Sequence, residues 1–262
     1  MIYLLGAMNN LDNFNQLSPL KPDLTFGIQR RIRSILNWLS RLVAILFALS
    51  VLSILLLRWI NPPTTSFILQ RQYSAWQNGE ESLVLKHEWV DWKHISPSIK
   101  MAAITSEDQA FAKHWGIDVS SIRKAIDEYE KGQNLRGAST ITQQVAKNLF
   151  LWTAQSYPRK GIEAYCALLI ELLWSKQRIL EMYLNIVEFG DGIYGVQAAA
   201  QHFFHTSADN LSKWQSALMV TALPAPRRYN LANPSQYMLE RRTWVLQYMN
   251  LLGNDTYLEK LE

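Results

Sequence analysis

The chain has 262 residues, 48% of them hydrophobic, which suits one packed domain plus an appendage and excludes two large domains. Most of the net charge of +4 lies in residues 1–41, with five basic and two acidic side chains, whereas the remainder has 21 and 20. Since a nucleic-acid footprint needs a basic patch in the folded part, we expect no nucleic acid partner. The single cysteine, Cys166, excludes an internal disulfide, and no cysteine or histidine spacing indicates a zinc site.

The first predicted element is an apolar run over residues 42–57, which contains no charge and is bracketed by two arginines. A spanning helix needs about 20 residues, and the flanking arginines and tryptophans extend this run. We therefore predict a transmembrane anchor over 42–60, with residues 1–41 in the cytoplasm because the basic residues lie on that side. A cleaved signal peptide is the alternative, but no small-residue cleavage site follows the run.

The part after the anchor is predicted to be predominantly helical. Residues 61–95 read as a linker with a connecting helix near 66–76, and residues 96–262 read as the main domain. Ser96 and Pro97 form a good helix start, with a serine cap and proline at the first helical position. Periodicity predicts further helices over 118–131, 141–150, 159–185, 193–204, 211–223 and 234–252, with a glycine turn at 190–192.

A possible catalytic carboxylate follows the helix that starts at Ser96. Glu107, Phe111 and His114 stand at i, i+4 and i+7, which is one face if the segment is helical. The neighbouring Asp108 raises the chance that one carboxylate has the upward-shifted pKa that a general base needs. The alternative is a solvated helix end with a capping acid.

Polar side chains then form two helical stripes in the segment 137–148, and a cation follows them. The stripes are Ser139, Gln143 and Lys147, and beside them Thr140, Gln144 and Asn148. Such a face suits a polyhydroxylated or phosphorylated ligand. The alternative is a capped surface helix with Ser139 or Thr140 as the cap.

A third segment places Arg159 and Lys160 within reach of Glu163 at i+4 and i+3. By itself this pattern is typical of an ordinary salt-bridged helix turn, worth a few tenths of a kcal/mol.

Together these segments resemble the family 51 glycosyltransferases, which polymerise lipid-linked disaccharide into glycan strands. Five motifs of that family occur in order between residues 107 and 246. They are E-D-x-x-F-x-x-H-x-G (Glu107, Asp108, Phe111, His114, Gly116), G-x-S-T-I-T-Q-Q-x-x-K-N (Gly137, Ser139 to Gln144, Lys147, Asn148), R-K-x-x-E (Arg159, Lys160, Glu163), K-x-x-I-L-E-x-Y-L-N (Lys176 to Asn185) and R-R-x-x-V-L (Arg241 to Leu246).

The resemblance implies a mainly α fold, with a lysozyme-like glycosyltransferase domain over 96–262 and one transmembrane helix before it. A smaller membrane-proximal lobe is expected at about residues 119–135. The chain is then expected to be an inner-membrane, single-pass protein with a periplasmic catalytic domain. Its expected partners are lipid II, the growing lipid-linked strand, the membrane, and proteins of a cell-wall synthesis or division complex.

The resemblance also implies roles for individual residues. Glu107 would be the general base that activates the acceptor hydroxyl of lipid II in an inverting transfer. Glu163 would act beside the leaving diphosphate, holding cations or a divalent ion (Mg or Mn), although no cofactor is expected to be required. The implied substrate-binding residues are Asp108, Phe111, His114, Gly116, Ser139, Thr140, Gln143, Gln144, Lys147, Asn148, Arg159 and Lys160.

Two features bear on which member of the family this is. Many members carry an arginine four residues before the R-K pair, where this chain has Gln155. A fused transpeptidase needs three motifs, of which only the first is spelled here, at Ser121 to Lys124. The expectation is therefore a monofunctional enzyme, with one phosphate-facing cation replaced by an amide.

Two other functions stay open at this point. A lytic enzyme of the lysozyme-like class also uses a glutamate, but its substrate lacks the diphosphate that the basic residues suit. A non-enzymatic membrane scaffold that keeps the fold would not need Glu107 at all.

Overall fold

The computed structural model describes residues 22–81, 83–132, 139–253 and 255–261, with side chains from residue 29 onward. Within these residues the chain is predominantly helical. The α-helices are α1 (Pro22–Leu57), α2 (Ser66–Gln77), α3 (Pro97–Glu107), α4 (Val119–Glu130), α5 (Ile141–Phe150), α6 (Tyr157–Leu173), α7 (Lys176–Ile186), α8 (Val196–Phe204), α9 (Lys213–Met219), α10 (Gln236–Leu251) and α11 (Asp255–Leu258). The strands are β1 (Lys86–His87), β2 (Glu188–Gly190) and β3 (Ile193–Tyr194).

The chain divides into two compact units, residues 1–53 and residues 54–262. The first unit contains most of α1, whose stretch Gln29–Leu57 is long and apolar enough to cross a membrane, with mean hydropathy 2.4. The predicted anchor is therefore the C-terminal part of a longer helix, which already begins at Pro22. Of the predicted cytoplasmic segment, residues 1–21 lie outside the described residues.

The interior of the second unit is built around α3, α5 and α7. These three helices bury nearly every apolar side chain they carry, because other helices pack on several sides of each. On α3 the fully buried residues include Ile99 and Ile104, and on α7 they include Ile179, Leu180 and Tyr183. Such apolar helices, covered on all sides, belong to the core of a domain.

One long predicted helix, 159–185, is wrong as a single element. The structure breaks it into α6 and α7 at Trp174 and Ser175, both of which have extended backbone dihedrals. The Ser175 side chain accepts a hydrogen bond from the Arg178 amide at 3.2 Å and so caps α7. The Trp174 indole donates to the Ile54 carbonyl at 2.7 Å, which holds the break in place.

The predicted helix 193–204 is also wrong at its start. Ile193 and Tyr194 form β3, which pairs antiparallel with β2 and parallel with β1. Helix α8 begins only after Gly195, which has φ of +82° and lies so close to α7 that a Cβ would be 2.6 Å from the Asn185 carbonyl oxygen. Only glycine fits there, so the turn separates strand from helix.

The other helix predictions are confirmed with small shifts of their ends. The connecting helix near 66–76 is α2, the helix starting at Ser96 and Pro97 is α3, and the segment 141–150 is α5. The segment 211–223 is shorter than predicted, since α9 is followed by a 3-10 turn at Val220–Ala222.

Helix α4 lies in the stretch expected to be the smaller lobe. It buries only Ala125, whereas Val119, Ile126 and Tyr129 are about half exposed or more. Residues 133–135 of that stretch lie outside the described residues, and its position near a membrane stays a prediction.

Candidate active site

Glu107 is the last residue of α3, one of the central helices of the second unit. Ser96 caps the start of the helix, since its hydroxyl accepts a hydrogen bond from the Ser98 amide, and Asp108 is the capping residue at the other end. The segment after Glu107 is not α-helical, so the condition under which Glu107, Phe111 and His114 would share one helical face is not met. The backbone leaves the helix at Asp108, and Phe111 lies in a separate 3-10 turn.

The Glu107 carboxylate is partly buried, and each of its oxygens accepts one hydrogen bond. The Ser106 hydroxyl donates to Oε1 at 3.1 Å, and the Gln144 amide donates to Oε2 at 2.9 Å. Burial raises the pKa of Glu107 above its usual value, and the two hydrogen bonds only partly offset that effect. A carboxylate with a raised pKa is suited to accept a proton near neutral pH.

Two cations act on Glu107 from different helices. Arg241 on α10 has its Nη2 3.5 Å from the Ser106 carbonyl oxygen, and Lys147 on α5 is close enough for its charge to act on the carboxylate. The positive charges of both lower the pKa of Glu107 and so limit the rise that burial causes. Burial thus favours the protonated form of the carboxyl group, whereas the two cations favour the charged form. With the two forms balanced in this way, the group is suited to reversible proton transfer.

The other residues of the first motif support the site from inside the fold. Asp108 is buried and accepts from the His114 imidazole at 2.9 Å and from the Ile141 amide, the first of α5, at 3.0 Å. Phe111 is fully buried, and a Cβ on Gly116 would lie 3.0 Å from a backbone oxygen of α6. The expectation that these motif residues bind substrate directly stays a prediction.

Some residues of the second motif cap helix α5, and another contacts the Glu107 carboxylate. Thr140 and Gln143 form a reciprocal capping box at the start of α5, and the Thr140 hydroxyl donates to the Gly116 carbonyl at 2.6 Å. Gln143 is only 3% exposed, whereas the next residue, Gln144, points to Glu107. Asn148 is buried as well, and Gly137 lies outside the described residues.

A cluster of cations surrounds Glu163 at the start of α6. The Arg159 guanidinium donates to Oε2 of the buried Glu163 at 3.0 Å, and the Lys160 ammonium donates to Oε1. Lys160 also donates to the Ser139 hydroxyl at 3.0 Å and is half exposed, so this cation can reach a ligand. The carboxylate therefore orders two cations in one place, which suits an anionic group.

Lys147 connects this cluster with Glu107. Burial lowers the pKa of Lys147, and the charges of Glu163 and Glu107 act on it in the opposite direction. Positive charge from Arg159 and Lys160 lowers its pKa further. The Glu107 carboxylate and the cation cluster at Glu163 are therefore both close enough to Lys147 to interact with it electrostatically.

The fourth motif holds the site together from α7. The Tyr183 hydroxyl is buried and donates to the Gln144 side-chain oxygen at 3.4 Å, which favours the orientation in which the amide nitrogen faces Glu107. Lys176 donates to the His114 carbonyl at 2.7 Å. Asn185 exchanges hydrogen bonds with the Val90 backbone at 2.8 and 2.9 Å.

A resident metal ion does not fit the residues present. In the part of the chain that the structure describes, no group of three or more His, Cys, Asp or Glu side chains is placed to hold one. Both Glu163 oxygens are already engaged by cations. We therefore derive no chemical step through a metal, and the expectation of a divalent ion at the diphosphate stays untested.

Three contributors to the site were missed by sequence reasoning. Tyr183 and Arg241 belong to quoted motifs, so their motif membership was an available signal for a role near Glu107. Phe67 on α2 has its ring centroid 5.4 Å from the Lys147 ammonium, and no sequence pattern pointed to it. Gln155, where the resemblance led us to expect an arginine, is exposed on the segment before α6.

The fold and this site define a helical protein with a partly buried carboxylate of raised pKa near a cluster of cations. Residues 77–250 match the Transglycosylase family. The chain therefore belongs to the transglycosylase family, as the motifs predicted. The predicted mainly α fold with an apolar N-terminal helix is confirmed as well.

Several curated proteins are similar over nearly their whole length. A biosynthetic peptidoglycan transglycosylase of Stutzerimonas stutzeri is 51% identical over 231 residues, which cover 88% of this chain and 95% of that protein. The protein of the same description from Pseudomonas savastanoi pv. phaseolicola is 48% identical, covering 89% and 96%. One from Pseudomonas putida is 44% identical, covering 88% and 98%.

Proposed function

We propose that this chain is a peptidoglycan glycosyltransferase that polymerises lipid II into β-1,4-linked glycan strands. One observation carries the proposal: Glu107, with its raised pKa, lies at the same site as Lys147, which interacts with the Arg159, Lys160 and Glu163 cluster. The family match and the descriptions of the relatives support the same activity.

The proposed reaction is a single displacement. The C4 hydroxyl of the acceptor lipid II attacks C1 of the growing strand, and Glu107 takes the hydroxyl proton. The new C4–O–C1 bond forms as the bond between C1 and the diphosphate oxygen breaks, so the α-linkage becomes β. Because attack and departure occur on opposite faces of C1, the reaction needs a base and no covalent nucleophile.

The leaving group is polyprenyl diphosphate, which gains negative charge as the bond breaks. Lys147, Arg159 and Lys160 supply positive charge for it, and preorganised charges of this kind stabilise a transition state without reorganising. Glu163 then serves by ordering the two cations of α6 and not as a second base. The exposed Gln155 leaves that cluster without a cation that many relatives have.

The membrane segment fits a substrate that carries a lipid chain. Confining the enzyme to the bilayer plane raises the effective concentration of substrate without new contacts. The basic residues before the apolar segment support a cytoplasmic N-terminus and a periplasmic domain at the inner membrane. Partners in a cell-wall synthesis or division complex stay an expectation.

Polymerisation of lipid II by the purified full-length protein in detergent tests the proposal, with and without divalent cation. We expect Glu107→Gln to lower turnover at least a thousandfold while circular dichroism shows the fold unchanged. The matched control is Glu240→Gln, which makes the same change at an exposed position of α10 and should retain activity.

Two outcomes would contradict the proposal. A Glu107→Gln protein that still elongates glycan would remove the base assignment. Shortening of finished glycan strands without any polymer from lipid II would favour a lytic enzyme instead, although that reaction gives the cation cluster no purpose.

A further inference from the structure

Helix α2 contributes to the active site although it lies before the segment that matches the family. The match begins at residue 77, where α2 ends. The Ser66 hydroxyl and the Gln70 amide both donate to the Leu151 carbonyl, at 2.8 and 2.9 Å, and the Thr153 amide donates to the Gln70 side-chain oxygen at 3.0 Å. These bonds attach the first turn of α2 to the chain just after α5, one helical turn beyond Lys147.

Phe67 lies between the two residues that make these bonds. Its ring centroid is 5.4 Å from the Lys147 ammonium nitrogen, within the range over which an aromatic face attracts a cation. The opposite face of α2 carries Tyr73 and Trp76, which are exposed. The attachment to Leu151 therefore turns one aromatic side chain of the helix toward the lysine and leaves the others in solvent.

We propose that Phe67 is a positioning residue for Lys147, whose ring face keeps the ammonium group charged and directed into the diphosphate site. The contact between Phe67 and Lys147 does not depend on the proposed function, but its effect on turnover rests on that function. No motif of the family includes Phe67, so this role depends on the helix that follows the anchor segment.

The environment of Lys147 explains why an aromatic side chain is useful there. Burial lowers the pKa of the lysine, and the positive charges of Arg159 and Lys160 act in the same direction. The negative charges of Glu163 and Glu107 raise the pKa of Lys147. Glu163, however, already pairs with Arg159 and Lys160, and Glu107 loses its charge when it takes a proton as the proposed base. An aromatic face favours the charged lysine without adding another acid that would compete with the diphosphate.

The ring has two effects on the lysine that substitutions can separate. Phe67→Leu keeps apolar cover but removes the ring face, so the pKa of Lys147 should fall further. Phe67→Ala admits water, so the pKa should rise toward its ordinary value. The pKa is read by competitive acetylation of Lys147 across a pH series, with peptide mass spectrometry of the full-length protein without substrate.

Turnover provides the second measurement. We expect Phe67→Leu to lower kcat for lipid II polymerisation about three- to tenfold, with KM changed less than about twofold and the alkaline limb moved to lower pH. Phe67→Tyr keeps the ring face and should restore both. Tyr73→Leu removes an exposed aromatic side chain from the same helix and is the matched control.

The proposal is overturned if Phe67→Leu and Phe67→Ala move the pKa of Lys147 in the same direction or not at all. It is also overturned if Tyr73→Leu has the same effect on kcat. Failure of the proposed function looks different, because the wild-type protein would then make no polymer while the acetylation measurement would still show opposite shifts.

Discussion

At the scale of single residues, the proposed base Glu107 shows how the fold can disfavour the charged form of a carboxylate. Burial raises its pKa, while Ser106, Gln144, Arg241 and Lys147 each oppose that rise. Because the pKa of Glu107 is higher in the folded than in the unfolded state, its protonated form contributes to the stability of the fold. That contribution is fully present below the unfolded-state pKa and is lost as the pH rises through the folded-state pKa. The charged carboxylate therefore costs stability at the pH where it works.

Replacing this carboxylate should stabilise the protein. We expect Glu107→Gln to raise the free energy of unfolding by about 0.5–2 kcal/mol at pH 7.5, because the amide has no buried charge to lose. Denaturant unfolding at several pH values checks this. The gain should shrink toward pH 4, where the wild-type carboxyl is protonated in both states, and a gain independent of pH would contradict the explanation.

For Gln144 the structure adds a contact that the sequence did not indicate, because its side-chain amide donates a hydrogen bond to Glu107, while its place in the donor site stays a prediction. Gln144→Met keeps the length of the side chain but removes the donor, so the pKa of Glu107 should rise further. The acid limb of the pH profile of kcat should then move to higher pH. An unchanged limb with a higher KM would instead support the prediction that Gln144 lines the donor site.

At the scale of elements, helix α5 explains why two neighbouring glutamines, Gln143 and Gln144, make different contacts. Successive residues of a helix point about 100° apart, so Gln143 faces the helix start and Gln144 faces α3. The sequence placed them on two neighbouring stripes of one motif, but it predicted the same substrate-binding role for both. Only the start of α5 at Ile141 separates the capping residue from the one that contacts the carboxylate.

The capping box gives a prediction with a different readout. Gln143→Ala removes the side-chain oxygen that accepts from the Thr140 amide at 3.0 Å and leaves that buried donor without its partner. We expect a loss of about 1–2 kcal/mol in unfolding free energy, with the acid limb of kcat unchanged. Gln215→Ala, in the more exposed capping box of α9, is the comparison and should cost less.

Element boundaries were the least predictable part of the fold. The run 159–185 is rich in good helix formers, and its one local sign of a break is Ser175, which caps the start of α7. The break depends on the distant Ile54 carbonyl, which accepts the indole hydrogen bond. The start of α8 likewise depends on the approach of Gly195 to α7, a contact between segments that periodicity does not contain.

At the scale of the whole molecule, the segment Leu57 to Ile60 is hydrogen-bonded to α7. Within the second unit, the Arg178 guanidinium donates to the Leu57 carbonyl at 2.9 Å and to the Ile60 carbonyl at 3.2 Å. It also pairs with Glu181, whose other oxygen accepts from the Trp92 amide. These carbonyls would otherwise be unpaired at a helix end, so one arginine satisfies them and joins them to α7.

Removing this arginine should loosen the junction without touching the site. We expect Arg178→Ala to lower the unfolding free energy by about 1–3 kcal/mol, because the Leu57 and Ile60 carbonyls and the Glu181 carboxylate lose a charged donor. Faster amide exchange at Arg58 and Ile60, measured in detergent micelles, should accompany it. Arg123→Ala, at an exposed position of α4, should change neither quantity measurably. Unchanged exchange at the junction would contradict the role of Arg178.

The sequence by itself determined the class of the protein, the helical character of its domain and the position of the apolar segment. Those properties follow from composition, periodicity and ordered motifs, which are local or are shared with a family. The spacing of Arg159, Lys160 and Glu163 within α6 already indicated that Glu163 pairs with both cations. Only the tertiary structure decided that Gln144 contacts Glu107 and that Phe67 reaches Lys147. Each of these depends on the packing of helices far apart in sequence, so no local pattern could indicate it.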